Sequence, residues 1–306
     1  MKKSEELPTI ALLVGSYTAF VVLTLAAGTL PLVLIIIGLS GVIALHSSLQ
    51  HEVLHGHPFG NQMLNDAAVF PALGLFVPYL RFKDTHLDHH FDPNLTDPYD
   101  DPESNYLDRQ VLAQFARLMR GLVQFNTTLI GRMLIGPIIG LADFYAADVK
   151  AMWDGNRRIA ISYALHLAGL VAPFVWVLTM TDLPFWAFVA SAYLGMSILK
   201  IRTYLEHQAH ERAASRTVII EDRGILAFLF LNNNYHAVHH AHPRVVWHKL
   251  PKVFAERRDK FVKQNGGYVY KSYAQIFAQF LFRAKDPVAH PIWTEANRTQ
   301  PKVPRP

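Results

Sequence analysis

The amino-acid sequence predicts an all-α integral membrane protein: a four-helix transmembrane bundle of two hairpins, carrying a cytoplasmic helical cap. Three observations lead to that expectation. Apolar residues make up 51% of the 306 positions and charged residues only 17%, against about 25% charged in ordinary soluble domains. Four apolar stretches each approach the roughly 20 residues needed to cross a bilayer. Basic residues are confined to the N-terminus, to 81–158 and to the segment from 200 onward.

The first hairpin comprises spans over 9–26 and 30–49, turning at Ala27-Gly28-Thr29. The second comprises spans over 159–180 and 183–204, turning at Thr181-Asp182. No Lys or Arg occurs between Lys3 and Arg81, or between Arg158 and Lys200, so all 29 basic residues fall in the N-terminus, in 81–158 or from 200 onward. The positive-inside rule puts those three regions on the cytoplasmic side and both short turns outside. A net charge of +5 then reads as orientation and attraction to anionic headgroups, with no nucleic-acid partner. Met1-Lys2-Lys3 and the apolar run after it resemble a signal peptide. The length of the run and the second span just behind it read as an uncleaved anchor.

The cap is expected over 50–158 and 205–293, giving one domain over 1–293. Two weaker apolar stretches, 66–80 with Pro71 and Pro78 and 121–141 with Arg132 and interior Gly and Pro, read as interfacial or half-buried helices. Segment 249–285 has helical patterning with charged faces. The polar, Pro-containing tail 294–306 reads as disordered.

Cysteine is absent. That excludes disulfide scaffolds, thiolate zinc sites, cysteine-ligated iron–sulfur clusters and cysteine nucleophiles. Histidine is abundant instead: sixteen, of which ten fall in four clusters, His51/His55, His86/His89/His90, His207/His210 and His236/His239/His240. Residues three and four apart share a helix face, so HxxxH and HxxHH present two and three imidazoles to one side. Neutral imidazole is a common metal ligand suited to iron, zinc and copper. So many imidazoles exceed one ion's needs and suit two. His46, His57, His242, His248 and His290 read as structural, and so does His166 inside the third span. His51-Glu52 with His55 also matches the HExxH of zinc proteases, but that reading leaves both HxxHH clusters unexplained. A transporter or metal-binding membrane protein would line a path at midspan; here the clusters lie beyond the span ends on one side.

This pattern resembles the membrane fatty acid desaturase family and its relatives among integral-membrane hydroxylases and ketolases. The matching elements are His51 and His55, His86 with His89-His90, and Asn234-Tyr235-His236 with His239-His240, in order between two span pairs over roughly 30–243. The resemblance implies a non-haem diiron centre with O2 as co-substrate. Its ligands would be His51, His55, His86, His89, His90, His236, His239 and His240. A further histidine is expected upstream of the last box: His207 is favoured as nearer the span, with His210 competing on the same helix face. Asp84, Asp88 and Asn234, and also Asp97, Glu52, Glu206 and Asn233, are candidates to support the ligands or hold a water. The strings 95–104 and 202–210 resemble proteobacterial members, which implies a bacterial inner membrane.

The implied activity is O2-dependent oxidation of an unactivated C–H bond in a lipid acyl chain. Desaturation is the leading outcome; hydroxylation by the same centre is the alternative. Phe70, Phe76, Tyr79 and Tyr204 are candidates to line an apolar substrate tunnel. The chain has no dinucleotide, flavin or iron–sulfur motif, so electrons must come from a partner such as a ferredoxin, some of them Rieske-type, with its reductase. Arg109, Arg117, Arg257, Arg258 and Lys260 are candidate docking positions.

Overall fold

The computed structural model describes residues 3–294, so the tail expected over 294–306 lies outside the described residues except for Thr294. The chain is mostly helical. Helices α1 (Lys3–Leu25) and α2 (Leu32–Leu54) form the first hairpin through a 3-10 turn at Ala26–Gly28. Short α3 (Gln62–Ala68) leads through an irregular segment to α4 (Tyr79–Phe91). Then come α5 (Arg109–Gln114), α6 (Arg117–Phe125), α7 (Leu129–Leu134) and α8 (Gly136–Trp153). The second long pair is α9 (Arg157–Met180) and α10 (Phe185–Thr203). Five short helices follow: α11 (Ile225–Leu229), α12 (His236–Ala241), α13 (Leu250–Glu256), α14 (Arg258–Gln264) and α15 (Tyr273–Phe280). The all-α expectation needs one correction. β1 (Ile219–Ile220) and β2 (Val269–Tyr270) pair in parallel, Ile219 opposite Val269, at a point rich in the branched and aromatic side chains that suit strands.

Three helical segments are long and apolar enough to cross a membrane: 4–28, Leu32–Leu54 and Arg157–Met180. The fourth apolar stretch forms α10, 19 residues long, where Lys200 and Arg202 in the last turn bring its hydropathy below that of the others. Among the described residues α10 packs on α2 more extensively than any other pair of helices does. The reason is small side chains at helical spacing. Ser40, Ala44 and Ser48 on α2, and Ala187, Ser191 and Gly195 on α10, are all buried. In lipid, helices associate through such close backbone approach. A Cβ on Gly195 would meet Ile43 Cγ2 at 2.9 Å and the Ser40 carbonyl at 3.2 Å. Ile35, Leu39, Phe188 and Ala192 complete this core. Gly195→Leu is therefore expected to force α2 and α10 apart, at a cost of about 1–3 kcal/mol typical of overpacking. Thermal unfolding of the detergent-solubilised protein should show a lowered midpoint; an unchanged midpoint would contradict this packing.

The stretch read as one interfacial helix over 121–141 is instead broken into α6, α7 and the start of α8. The first piece ends at Phe125 with Asn126 as its C-cap, and Thr128 caps the next, its hydroxyl accepting from the Gly131 amide at 3.0 Å. The 66–80 stretch is likewise mostly irregular. It folds against α9: the Ala72 amide donates to the Gly169 carbonyl at 3.1 Å, and His166 donates to the Leu75 carbonyl at 2.7 Å, a structural use of that histidine.

α4 is fixed by a three-helix junction. Arg81 grips Asp148 of α8 in a bidentate pair, with bonds of 3.0 Å from Nε and 2.7 Å from the guanidinium end. Tyr163 of α9 donates to the same carboxylate at 2.9 Å. Asp148 is only 2% exposed, so removing either charge would leave a buried ion without its counterpart.

Candidate metal centre

Four pieces of chain bring nine imidazoles together. His51 sits in the last turn of α2 and His55 caps its C-terminus. α4 supplies His86, His89 and His90, and α12 supplies His236, His239 and His240. His207 follows α10 on extended backbone: it pairs with Thr217 across an isolated antiparallel bridge, flanked by the bonds Gln208 N to Arg216 O at 2.9 Å and Val218 N to Glu206 O at 3.1 Å.

The nine fall into two groups, each with its nitrogens within 4.8 Å of one another: His51, His55, His86, His90 and His239, then His89, His207, His236 and His240. The split follows helix geometry. α4 gives its i,i+4 pair, His86 and His90, to the first group and His89 to the second. α12 reverses this, giving His236 and His240 to the second group and His239 to the first. The groups touch where His90 and His240 stack, ring centres 4.2 Å apart.

The Nε2 atoms converge. Separations are 3.3 Å for His55–His86, 3.0 Å for His90–His239, 2.9 Å for His89–His207 and 3.0 Å for His207–His236. Nitrogens bound at right angles to one ion with bonds of about 2.1 Å would lie about 3.0 Å apart. His51 Nε2 is buried with no hydrogen-bond partner among the described residues, as a nitrogen reserved for a metal would be. The donor set, borderline imidazole without thiolate, suits iron, copper or zinc.

The far nitrogens are held by acids. His89 Nδ1 donates to Asp101 at 2.7 Å and His86 Nδ1 to Glu103 at 2.8 Å. These bonds fix the tautomer that leaves Nε2 free. His236 Nδ1 approaches Asn233 Oδ1 at 3.3 Å and Glu206 at 3.6 Å, and Glu206 is itself bound by Arg202 at 3.0 Å.

Burial keeps most of these rings neutral, the form that ligates. Burial and then neighbouring imidazoles lower His55, His207, His236, His239 and His240, and push His90 down to about 3. His89 runs the other way: burial alone would lower it, but Glu103 and Asp101 outweigh that and raise it to about 9. Burial would raise the Glu103 carboxyl, yet His86 and His89 hold it well below the usual carboxylate range.

Several candidates are placed elsewhere. Asp84 forms an ion pair with Arg158 at 2.6 Å, and Asp88 is exposed. Both lie on the face of α4 turned away from His86, His89 and His90. Asn234 donates to the Ile220 and Asp222 carbonyls at 2.6 and 3.0 Å, securing the turn before α12. Asp97 accepts from the Tyr99 and Asp100 amides in its own turn. His210 belongs to neither group: α10 ends at Thr203, so His207 and His210 do not share a helix face, and His210 Nδ1 accepts from the Arg212 amide at 3.0 Å. Glu52 accepts from the Trp247 amide at 3.1 Å, away from the base position that an HExxH protease needs. Tyr79 donates to Asp66 and Tyr204 to the Thr127 carbonyl. Phe76 lines an apolar groove of about 660 Å³ between α8 and α10 that reaches no histidine. Asp101 and Glu103, in the irregular segment after α4, were not among the sequence candidates.

Two adjacent imidazole clusters in a mostly helical chain with three helices apolar enough to cross a membrane define a class: helical membrane-type proteins able to hold metal on histidine alone. The family model for fatty acid desaturase matches residues 27–272, and the chain belongs to that family. Membership makes it an oxidoreductase of the desaturase type. A search of curated proteins returns no significant match.

Proposed function

We propose that the nine imidazoles hold two irons, five around one and four around the other, and that the protein oxidises a lipid acyl chain with O2. Desaturation is the leading outcome. The observation that supports this most is the sorting of nine histidines from four pieces of chain into two adjacent groups, within a chain of the desaturase family. Held there, iron supplies the O2-dependent oxidant able to remove hydrogen from an unactivated C–H bond. The chain's own residues do the rest. Asp101 and Glu103 hold the protons on the far nitrogens of His89 and His86, so the near ones stay available. Burial of His86, His89, His236 and His239 keeps bulk water from the reacting position. The same ligand set serves hydroxylation, and the position of the acyl chain decides between the two.

In this reading α10 is the fourth span of a four-helix bundle, and one domain over 1–293 carries its cap on the cytoplasmic face of a bacterial inner membrane. Electrons come from a ferredoxin-type donor, which includes the Rieske type, with its reductase.

The test is expression with a ferredoxin system and mass-spectrometric profiling of acyl chains, with His239→Ala as control. New species lacking two hydrogens, absent from the control, are expected. Species gaining one oxygen would make the protein a hydroxylase. Identical profiles from both proteins, with reduced ferredoxin supplied and acyl lipid present, would refute the reading.

A further inference from the structure

A second cavity, of about 640 Å³, opens onto the histidines, within the size range of small-molecule sites. Its floor includes His55, His90 and His240, rings from both groups. It is also lined by Leu54, the last residue of α2, so the cavity sits at the end of that apolar helix. Of the apolar side chains nearby, Phe91 lines the cavity and is 65% exposed, and Met63 and Leu64, next in sequence to the lining residue Gln62, are 80% and 57% exposed.

The polar lining is informative because most of it is already engaged. Asn65 is closed on the backbone of Phe59 through both ends of its amide, at 2.8 and 3.0 Å. Gln62 donates to the Val53 carbonyl and to Asp66. His57 meets Glu6 through Nδ1 at 3.0 Å and the Arg244 carbonyl through Nε2 at 3.2 Å. The Arg244 side chain is different. It is exposed, lines the cavity, and forms no ion pair with a described acid, while its backbone is pinned by His57. Such a guanidinium on the wall of a cavity that also carries Leu54, Phe59, Leu87 and Phe91 suits an amphiphile with an anionic end, because its planar fork matches carboxylate and phosphate.

We propose that this cavity takes the substrate chain and that Arg244 holds its anionic end, so that the substrate class is an acyl chain bearing a carboxylate or phosphate and not a neutral hydrocarbon. This rests on the oxidase reading and narrows its substrate. Gly60 offers an independent handle: it lines the cavity, and a Cβ there meets nothing within 4 Å, so a side chain can be added at this position and project into the space.

The experiment measures displacement of a fluorescent polyene fatty acid from the iron-loaded protein in detergent. Competitors are palmitic acid, palmitoyl-coenzyme A, phosphatidylglycerol vesicles and, as the neutral chain, hexadecanol. Arg244→Glu should weaken the anionic competitors by about tenfold to a hundredfold, the range of a charge-assisted contact, and leave hexadecanol within about twofold. Arg244→Lys should restore most of the binding. Gly60→Trp should weaken acid and alcohol alike with iron content unchanged. The tightest anionic competitor identifies the source of the charge. Equal effects of Arg244→Glu on acid and alcohol, or none, would overturn the proposal. So would wild-type binding in Gly60→Trp, or an Arg244→Glu defect confined to the KM for reduced ferredoxin. Binding is read without turnover, so a wild-type protein that binds anionic chains through Arg244 yet oxidises none would refute the oxidase reading and leave the cavity as a binding site for anionic chains.

Discussion

His207→Ala is expected to abolish acyl-chain oxidation and to lower bound iron from about two per chain to about one, whereas His210→Ala should change neither beyond about twofold. The two histidines are three residues apart, yet the fold separates them. His207 Nε2 lies 2.9 Å from His89 Nε2 and 3.0 Å from His236 Nε2, at the centre of the four-histidine group. Removing one imidazole of four leaves three ligands to a site that the first group cannot complete, because its own five rings converge elsewhere. His210 accepts only a local amide and its carbonyl is held by Arg216 at 2.7 Å. Iron analysis of both purified variants, with acyl profiling alongside, decides the matter. Equal iron in wild type and His207→Ala would remove His207 from the ligand set, and a loss in His210→Ala would show that the 204–210 segment folds differently when metal is present.

The histidines could be read from the sequence because imidazole is scarce and its spacing matches a helix. On α4 and α12 the i, i+3 and i+4 positions stay on one side of a regular element, so six of the nine follow from periodicity. The long apolar helices were legible for the same reason, since length and composition survive any local bend. The acids were not. Asp101 and Glu103 lie 12 and 17 residues from the histidines they serve, on a segment with no period. Asp84 and Asp88 were nearer in sequence and wrong in space: they are themselves four apart, so they share a face, and that face is turned to Arg158. His207 was expected on a helix running on from α10. The chain turns at Tyr204, and 206–208 pairs instead with 216–218, a long-range choice that no local propensity encodes. The break at Asn126–Thr128 has a signal in hindsight, a Thr in N-cap position, but the apolar content on either side hides it.

Asp101→Asn is expected to cost about 10- to 100-fold in iron affinity or activity, and more than Glu103→Gln, although each exchange keeps the shape of the side chain. The difference lies in what surrounds the two carboxylates. Asp101 accepts three bonds: from His89 Nδ1 at 2.7 Å and the Glu103 amide at 2.9 Å through one oxygen, and from the Thr96 amide at 2.7 Å through the other. All three partners are donors. An asparagine must turn its NH2 toward one of them in either orientation, so two donors face each other in a site where Asp101 is 4% exposed. A buried donor left without an acceptor costs about 1–3 kcal/mol, and the His89 ring is the partner most free to swing away. Glu103 accepts from one imidazole, His86 at 2.8 Å, and is less enclosed. A glutamine there can rotate to offer its carbonyl and keep the bond. Iron titration of the apo-protein after chelator treatment, with wild type and both variants side by side, gives the ranking. If Glu103→Gln loses as much iron affinity as Asp101→Asn, the negative charge matters more than the bond geometry, and these carboxylates act by electrostatics instead of by fixing the imidazole tautomer.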